Sequence, residues 1–149
     1  MTATHVSDHE YLKKILLAPV YDVAVASELS YMSLLSAELG NEIFLKREDQ
    51  QPVKSFKLRG AYNRIYQLTR AKDVNGVVAA SAGNHAQGVA LAADKLGLNA
   101  TIVMPKTTPG IKVDAVKSFG AKTVLIGDNY DEACAYATKY AEEQEIDLI

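Results

Sequence analysis

From Glu42 onward, short apolar runs alternate with segments of helical period, and this order constrains the fold more than any other feature of the chain. The runs "EIFLK", "GVVAAS", "ATIVMP" and "KTVLIG" are rich in β-branched or small apolar residues and are bounded by polar or glycine punctuation. They read as strands buried on both faces. Between them, "NHAQGVALAADKLG" places Ala86, Val89, Ala90, Ala93 and Leu96 on one helix face, with Gly97 as a stop. "YDEACAYATKYAEE" does the same with Tyr130, Ala133, Cys134, Ala137 and Ala141. Thr108 ahead of Pro109 predicts an N-cap with proline at the first helical position, and Gly120 closes that segment. The expected fold class is therefore α/β, a parallel sheet flanked by helices in three layers. Upstream, "DHEYLKKILLAP" and "SYMSLLSAELG" read as two helices that pack on the sheet or belong to another layer. The closing "EIDLI" begins as the next strand of the pattern would. An unfinished strand leaves backbone groups unpaired, so the chain is expected to be a fragment.

Composition removes several classes of function. A chain of 149 residues, 48% hydrophobic and 23% charged, can bury one core without metal or disulfide staples. Sixteen Lys and Arg against 18 Asp and Glu leave a net charge of -2 with no basic run, which argues against a nucleic-acid partner. No apolar stretch reaches the ~20 residues of a bilayer span, so no membrane role is expected. Cys134 is the single cysteine and the N-terminus lacks a secretion signal, which makes a reducing cytoplasm the expected compartment. His5, His9 and His85 have no partners at ligand spacing, so no metal site is expected, and His85 reads as a loop or cap residue. Cys134 reads as a small buried hydrophobe. Glu48 and Asp49, beside Lys46 and Arg47, read as an ion-pair cluster, and Lys106, Lys112 and Lys117 as solvated helix faces.

Two places can carry chemistry. In "ASAGNHAQG", Ala80 to Gly88, a buried strand runs through Ser81, Ala82 and Gly83 straight into a helix. Small residues let a ligand approach the backbone there, and the free N–H groups with the helix dipole favour a carboxylate or phosphate. The plainer alternative is a tight connection that needs glycine for its geometry. Gly83 and Gly88 have P-loop spacing, but Val89 and Ala90 follow where the phosphate-binding lysine should, and no G-x-G-x-x-G occurs. The second place is "QPVKSFKLRGAYN", Gln51 to Asn63. A lysine at a helix start with Lys54 and Arg59 close by has its ammonium form disfavoured, as a Schiff-base lysine requires. Gly60 suggests close packing against the backbone, and Phe56 could stack on a flat ring. The plainer alternative is a solvated lysine and a core phenylalanine.

"KREDQQPVKSFKLRGAYN" (46–63), "ASAGNHAQGVA" (80–90) and "VMPKTTPGIKVDAVKSFGA" (103–121) together resemble the pyridoxal-phosphate enzymes of the tryptophan synthase β fold type, also called fold type II. Within them, "QPV" ahead of "SFKLRGAYN" is closest to the biosynthetic threonine dehydratases. The resemblance implies pyridoxal 5'-phosphate as cofactor, linked to Lys57, with Phe56 against its ring and Asn84 bonded to its phenolic oxygen. It implies that Ser81, Ala82, Gly83, Asn84, His85 and Gln87 hold the substrate carboxylate. Lys57 would take the α-proton of threonine, giving 2-oxobutanoate and ammonia, the first step of isoleucine synthesis. Serine dehydratase or racemase activity, a non-catalytic nucleotide-binding module, and an inactive product that associates with intact subunits are the alternatives. The whole enzyme is expected to be a homo-oligomer. Residues 1–52 are expected to belong to its larger domain and 53–149 to its smaller α/β domain. Because the phosphate loop, the pyridine-nitrogen partner and a regulatory domain lie downstream in this family, these 149 residues alone are expected to be nearly inactive and to bind cofactor weakly. "ASELSYM" and Lys54 depart from the family's usual residues.

Overall fold

Val77–Ala80 (β3) and Ala100–Met104 (β4) consist almost wholly of small and β-branched apolar residues, and they form the centre of a four-stranded sheet. The computed structural model describes residues 7–149, so the expectation for His5 lies outside the described residues. The chain before β3 comprises helix α1 (Asp8–Leu16), strand β1 (Leu29–Tyr31), helix α2 (Ser33–Leu39), strand β2 (Phe44–Lys46) and helix α3 (Lys57–Ala71). After β3 come α4 (Asn84–Lys95), β4, α5 (Gly110–Lys117), β5 (Lys122–Leu125), α6 (Tyr130–Gln144) and β6 (Asp147–Leu148). The sheet order is β5-β4-β3-β6, with every pair parallel. Val77 lies opposite Ala100 and Asp147, and Thr101 opposite Lys122.

The strand period separates the two faces. Val77, Ala79, Ile102 and Met104 pack with Ala61 and Ile65 of α3, Val89 and Ala93 of α4, and Val113 and Val116 of α5. Val78 and Val103 face the other way, onto Ala133, Ala137 and Ala141 of α6. Three layers result, as the alternation predicts. Gly97 and Gly120 take left-handed φ values of 69° and 79° just beyond their helices, which is why each acts as a stop.

Several expectations need correction. "EIFLK" is no strand of the parallel sheet. Its residues Phe44–Lys46 pair antiparallel with Leu29–Tyr31 in a separate ribbon, with Leu29 opposite Lys46, and all three are exposed. Tyr31 belongs to that ribbon, stacked at a tilt 5.3 Å from Phe44, and the following helix begins only at Ser33. The connection between the two strands is helix α2, which returns the chain antiparallel beside β1. "KTVLIG" is an edge strand, half exposed, because only β4 pairs with it. Pro109 occupies the N-cap position of α5 with no side-chain cap, and Thr108 Oγ1 is buried without a hydrogen-bond partner. In α6, Tyr130 is 56% exposed and Cys134 only half-buried. The buried stripe is alanine at every fourth position, which lets the helix approach the sheet closely. No residue of α1 is buried. Among the described residues, no helix is long and apolar enough to cross a membrane.

Candidate active site

Lys57 is the first residue of α3, and the turn in front of it is held from below. Val53 and Leu58, both fully buried, pack with Ala24 and seal the underside of the turn. Gln51 is fully buried as well, and its carboxamide mimics a peptide group. The Val25 N–H donates to its Oε1 at 2.8 Å, and its Nε2 donates to the Val25 carbonyl at 2.8 Å. The Lys54 N–H donates to the Gln51 carbonyl at 2.8 Å, and Lys54 itself turns through a left-handed φ of 55°. Ser55 Oγ then accepts the Lys57 N–H at 3.3 Å.

Above this base, the side chains of Phe56 and Lys57 are exposed, with Lys57 Nζ 5.6 Å from the Phe56 ring centroid. Among the described residues, Lys57 forms no ion pair with any carboxylate. Phe56, Lys57, Gly60, Ala61, Arg64, His85 and Ile149 line a cleft of about 330 Å³. A Cβ added at Gly60 would meet nothing within 4 Å among the described residues, so this glycine faces open space there. The close approach expected at Gly60 occurs instead at Gly88 on α4. There an added Cβ would lie 3.3 Å from the Leu58 backbone and from Ala61 Cβ. Gly88 therefore brings α4 against α3 right behind Lys57.

The second predicted place is the turn between β3 and α4. The Ser81 N–H donates to the Val103 carbonyl at 3.0 Å, which continues the sheet by one residue, and Ser81 Oγ accepts the Gly83 N–H at 3.3 Å. Gly83 is the N-cap of α4 and supplies no side chain to its first turn. An anion above Asn84 would meet the positive end of the helix dipole. Of the predicted residues, Phe56, Lys57 and His85 share the cleft, while Ser81, Ala82, Gly83, Asn84 and Gln87 lie on or beside the turn that leads to His85. Rather than sitting in a loop, His85 is the second residue of α4.

Arg59 does not crowd Lys57, contrary to the sequence expectation. Its guanidinium grips Glu48 through a two-pronged pair, Nε to Oε2 at 2.9 Å and Nη2 to Oε1 at 3.0 Å, and lies 5.2 Å from the Tyr21 ring centroid. Residues two apart on a helix point in different directions, so the cation is drawn off toward the ribbon side. The expected ion-pair cluster forms in part, since Asp49 finds its partner within it and Glu48 and Lys46 find theirs outside it. Asp49 pairs with Arg47, Glu48 with Arg59, and Lys46 Nζ donates to the Ser27 carbonyl. Hydrogen bonds from Arg59, Gln51 and Ser27 hold the Glu48 carboxyl at a pKa of about 2.

A carboxyl with a depressed folded pKa stabilises the fold fully above its unfolded pKa, and that contribution is lost as pH falls toward the folded value. The melting temperature is therefore expected to fall between about pH 4.5 and about pH 2. The fall should be shallower in Glu48→Gln, and equal slopes in thermal melts across that window would refute the assignment.

Sequence reasoning missed the structural part played by Gln51 and the site position of Arg64. Arg64 was legible, since 57, 60, 61 and 64 fall on one helical face. The partner of Gln51 lies 26 residues away, which no local pattern encodes.

An aldehyde cofactor with a flat ring needs an accessible amine, an exposed ring face and open space, and the cleft offers all three in Lys57, Phe56 and the gap at Gly60. Residues 25–147 match the model of the family described as pyridoxal-phosphate dependent enzyme. The chain belongs to this family. Members similar to it include the biosynthetic L-threonine dehydratase of Pasteurella multocida, 55% identical over 99% of this chain and 29% of that protein. The chloroplastic biosynthetic threonine dehydratase 1 of Solanum lycopersicum is 55% identical over 93% of the chain and 23% of that protein. The chain thus spans under a third of the length of these curated relatives. Among solved structures, the processed form of tomato threonine deaminase isoform 2 superposes with a TM-score of 0.90 at 49% identity, over 99% of this chain and 42% of that one. Maize serine racemase superposes with a TM-score of 0.87 at 30% identity, over 97% and 44%. As a member of this family, the chain carries the parallel sheet and flanking helices of the fold type II architecture.

Proposed function

We propose that this chain forms the front part of a threonine dehydratase site that converts L-threonine to 2-oxobutanoate and ammonia, the entry step of isoleucine synthesis. The observation that carries the reading is the Lys57 amine, without an ion-pair partner among the described residues, set beside the exposed Phe56 ring in an open cleft that adjoins the N-terminus of α4. Identity of 55% to named threonine dehydratases, against 30% to a serine racemase, supports threonine over serine as substrate.

When bound, pyridoxal phosphate supplies the electron sink that makes the α-proton of an amino acid removable. The chain's own residues supply the rest. Lys57 holds the cofactor through its amine and later takes the α-proton, a task that needs a neutral nitrogen within reach of the substrate. Phe56 offers its ring face to the cofactor. Asn84 would help to hold the cofactor, while Ser81, Ala82, Gly83, His85 and Gln87 would hold the substrate carboxylate at the start of α4, where backbone N–H groups and the dipole favour negative charge. A homo-oligomeric, cytoplasmic whole enzyme is part of the same reading.

The test is to mix the chain with pyridoxal phosphate, reduce with borohydride and map the modified peptides. Label is expected on Lys57 at about ten times the level of any other lysine, because its amine sits in the cleft beside a ring face that can hold the cofactor. Label spread evenly over surface lysines would overturn the reading. Pyruvate from serine in place of 2-oxobutanoate from threonine would reassign the substrate.

A further inference from the structure

Four side chains from three separate segments converge beneath the lysine turn. Glu48 Oε1 accepts from Ser27 Oγ at 3.0 Å, from Gln51 Nε2 at 3.2 Å and from Arg59 Nη2 at 3.0 Å, while its Oε2 accepts from Arg59 Nε at 2.9 Å. Both members of the ion pair are largely shielded, with side-chain exposures of 23% for Arg59 and 19% for Glu48. Gln51, with no exposure at all, ties the same point to the backbone of Val25 in both directions. Farther along α3, the Tyr62 hydroxyl donates to Asp22 at 2.8 Å, so the segment 22–27 is fastened to the helix a second time.

We propose that Glu48 is a positioning residue for Lys57. With Arg59, Gln51 and Ser27 it forms a latch that grips the chain on both sides of the lysine and fixes where the first turn of α3 points. Gln51 lies six residues before Lys57 and Arg59 two residues after it, and one carboxylate binds both. A bidentate guanidinium–carboxylate pair fixes direction as well as distance, which a single ammonium contact would not do. Glu48 touches neither the cleft nor Lys57, so its effect passes through the turn it holds. The depressed pKa of its carboxyl means that the latch stays charged across the whole neutral range. The mechanical part of this inference stands by itself, and its importance for chemistry rests on the reading of Lys57 given above.

The experiment compares the full chain with Glu48→Gln, with Arg59→Lys and with Val116→Ala, a core variant remote from the turn. Arg59→Lys keeps the charge but loses the fork, and it serves if Glu48→Gln does not fold. Amide exchange at Lys57 to Gly60 is expected to rise about tenfold in either latch variant and to stay unchanged in Val116→Ala at equal fraction folded. Label at Lys57, relative to surface lysines, is expected to fall by a similar factor in the latch variants alone. Unchanged exchange in both latch variants, or an equal rise in Val116→Ala, would overturn the latch. Raised exchange together with scattered label in the unmodified chain would uphold the latch and overturn the reading of Lys57.

Discussion

Lys57→Ala is expected to remove all borohydride-stable cofactor label from the peptide spanning residues 51–63. In the proposed function two roles converge on this one nitrogen, holding the cofactor and taking the α-proton, so neither water nor a neighbouring side chain should replace it. Arg64 and His85 share the cleft, but a guanidinium stays protonated and forms no such link. Lys57→Arg should therefore fail as completely as Lys57→Ala, which separates the need for an amine from the need for a charge. Neither change should disturb folding, because the Lys57 side chain is exposed and unpaired among the described residues. Retention of label on that peptide in Lys57→Ala would mean that Lys54 carries it, and the assignment would be wrong.

Gly88→Leu should be the most damaging single change to the scaffold. Even one Cβ would meet the Leu58 backbone and Ala61 at 3.3 Å, and backbone cannot swing aside as a flexible side chain can. Gly88→Ala should be close to neutral, since the contact strain is set against the ~1 kcal/mol that alanine gains over glycine inside a helix. A leucine forces α3 and α4 apart or takes a strained rotamer, at a cost of roughly 3 kcal/mol or more. For a chain of this size that corresponds to a drop of about 10 °C in melting temperature. Because α3 carries Lys57 and α4 begins at the Ser81–Gln87 turn, label at Lys57 should fall as well. A Gly88→Leu chain that melted like the parent would show that the two helices are not in this contact in solution.

The core strands were legible because their burial is local information. Val77–Ala80 and Ala100–Met104 are apolar on both faces, so any fold that hides them must cover both sides, and the intervening helical segments leave only parallel pairing. The alanine stripe of α6 and the glycine stops after α4 and α5 were readable for the same reason. The ribbon of Leu29–Tyr31 with Phe44–Lys46 was not. Each strand has three residues, too few to show a period, and Tyr31 fits a helical pattern equally well.

For the site, residue chemistry and motif order singled out Lys57, Phe56 and the turn from Ser81 to Gln87. The same logic misassigned Arg59, because charge counted along the chain takes no account of direction. A cation two residues from Lys57 in sequence points away from it on a helix and finds a carboxylate eleven residues earlier.

The amino-acid sequence by itself thus determined the alternation of strands and helices and the parallel sheet, which follow from local pattern, while the resemblance of its motifs singled out Lys57 as the candidate lysine. Only the tertiary structure decided which groups face that lysine and which hold it in place. Glu48, Gln51 and Val25 meet through contacts set by how distant segments pack, and the directions of buried hydrogen bonds exist only once the chain has closed around them.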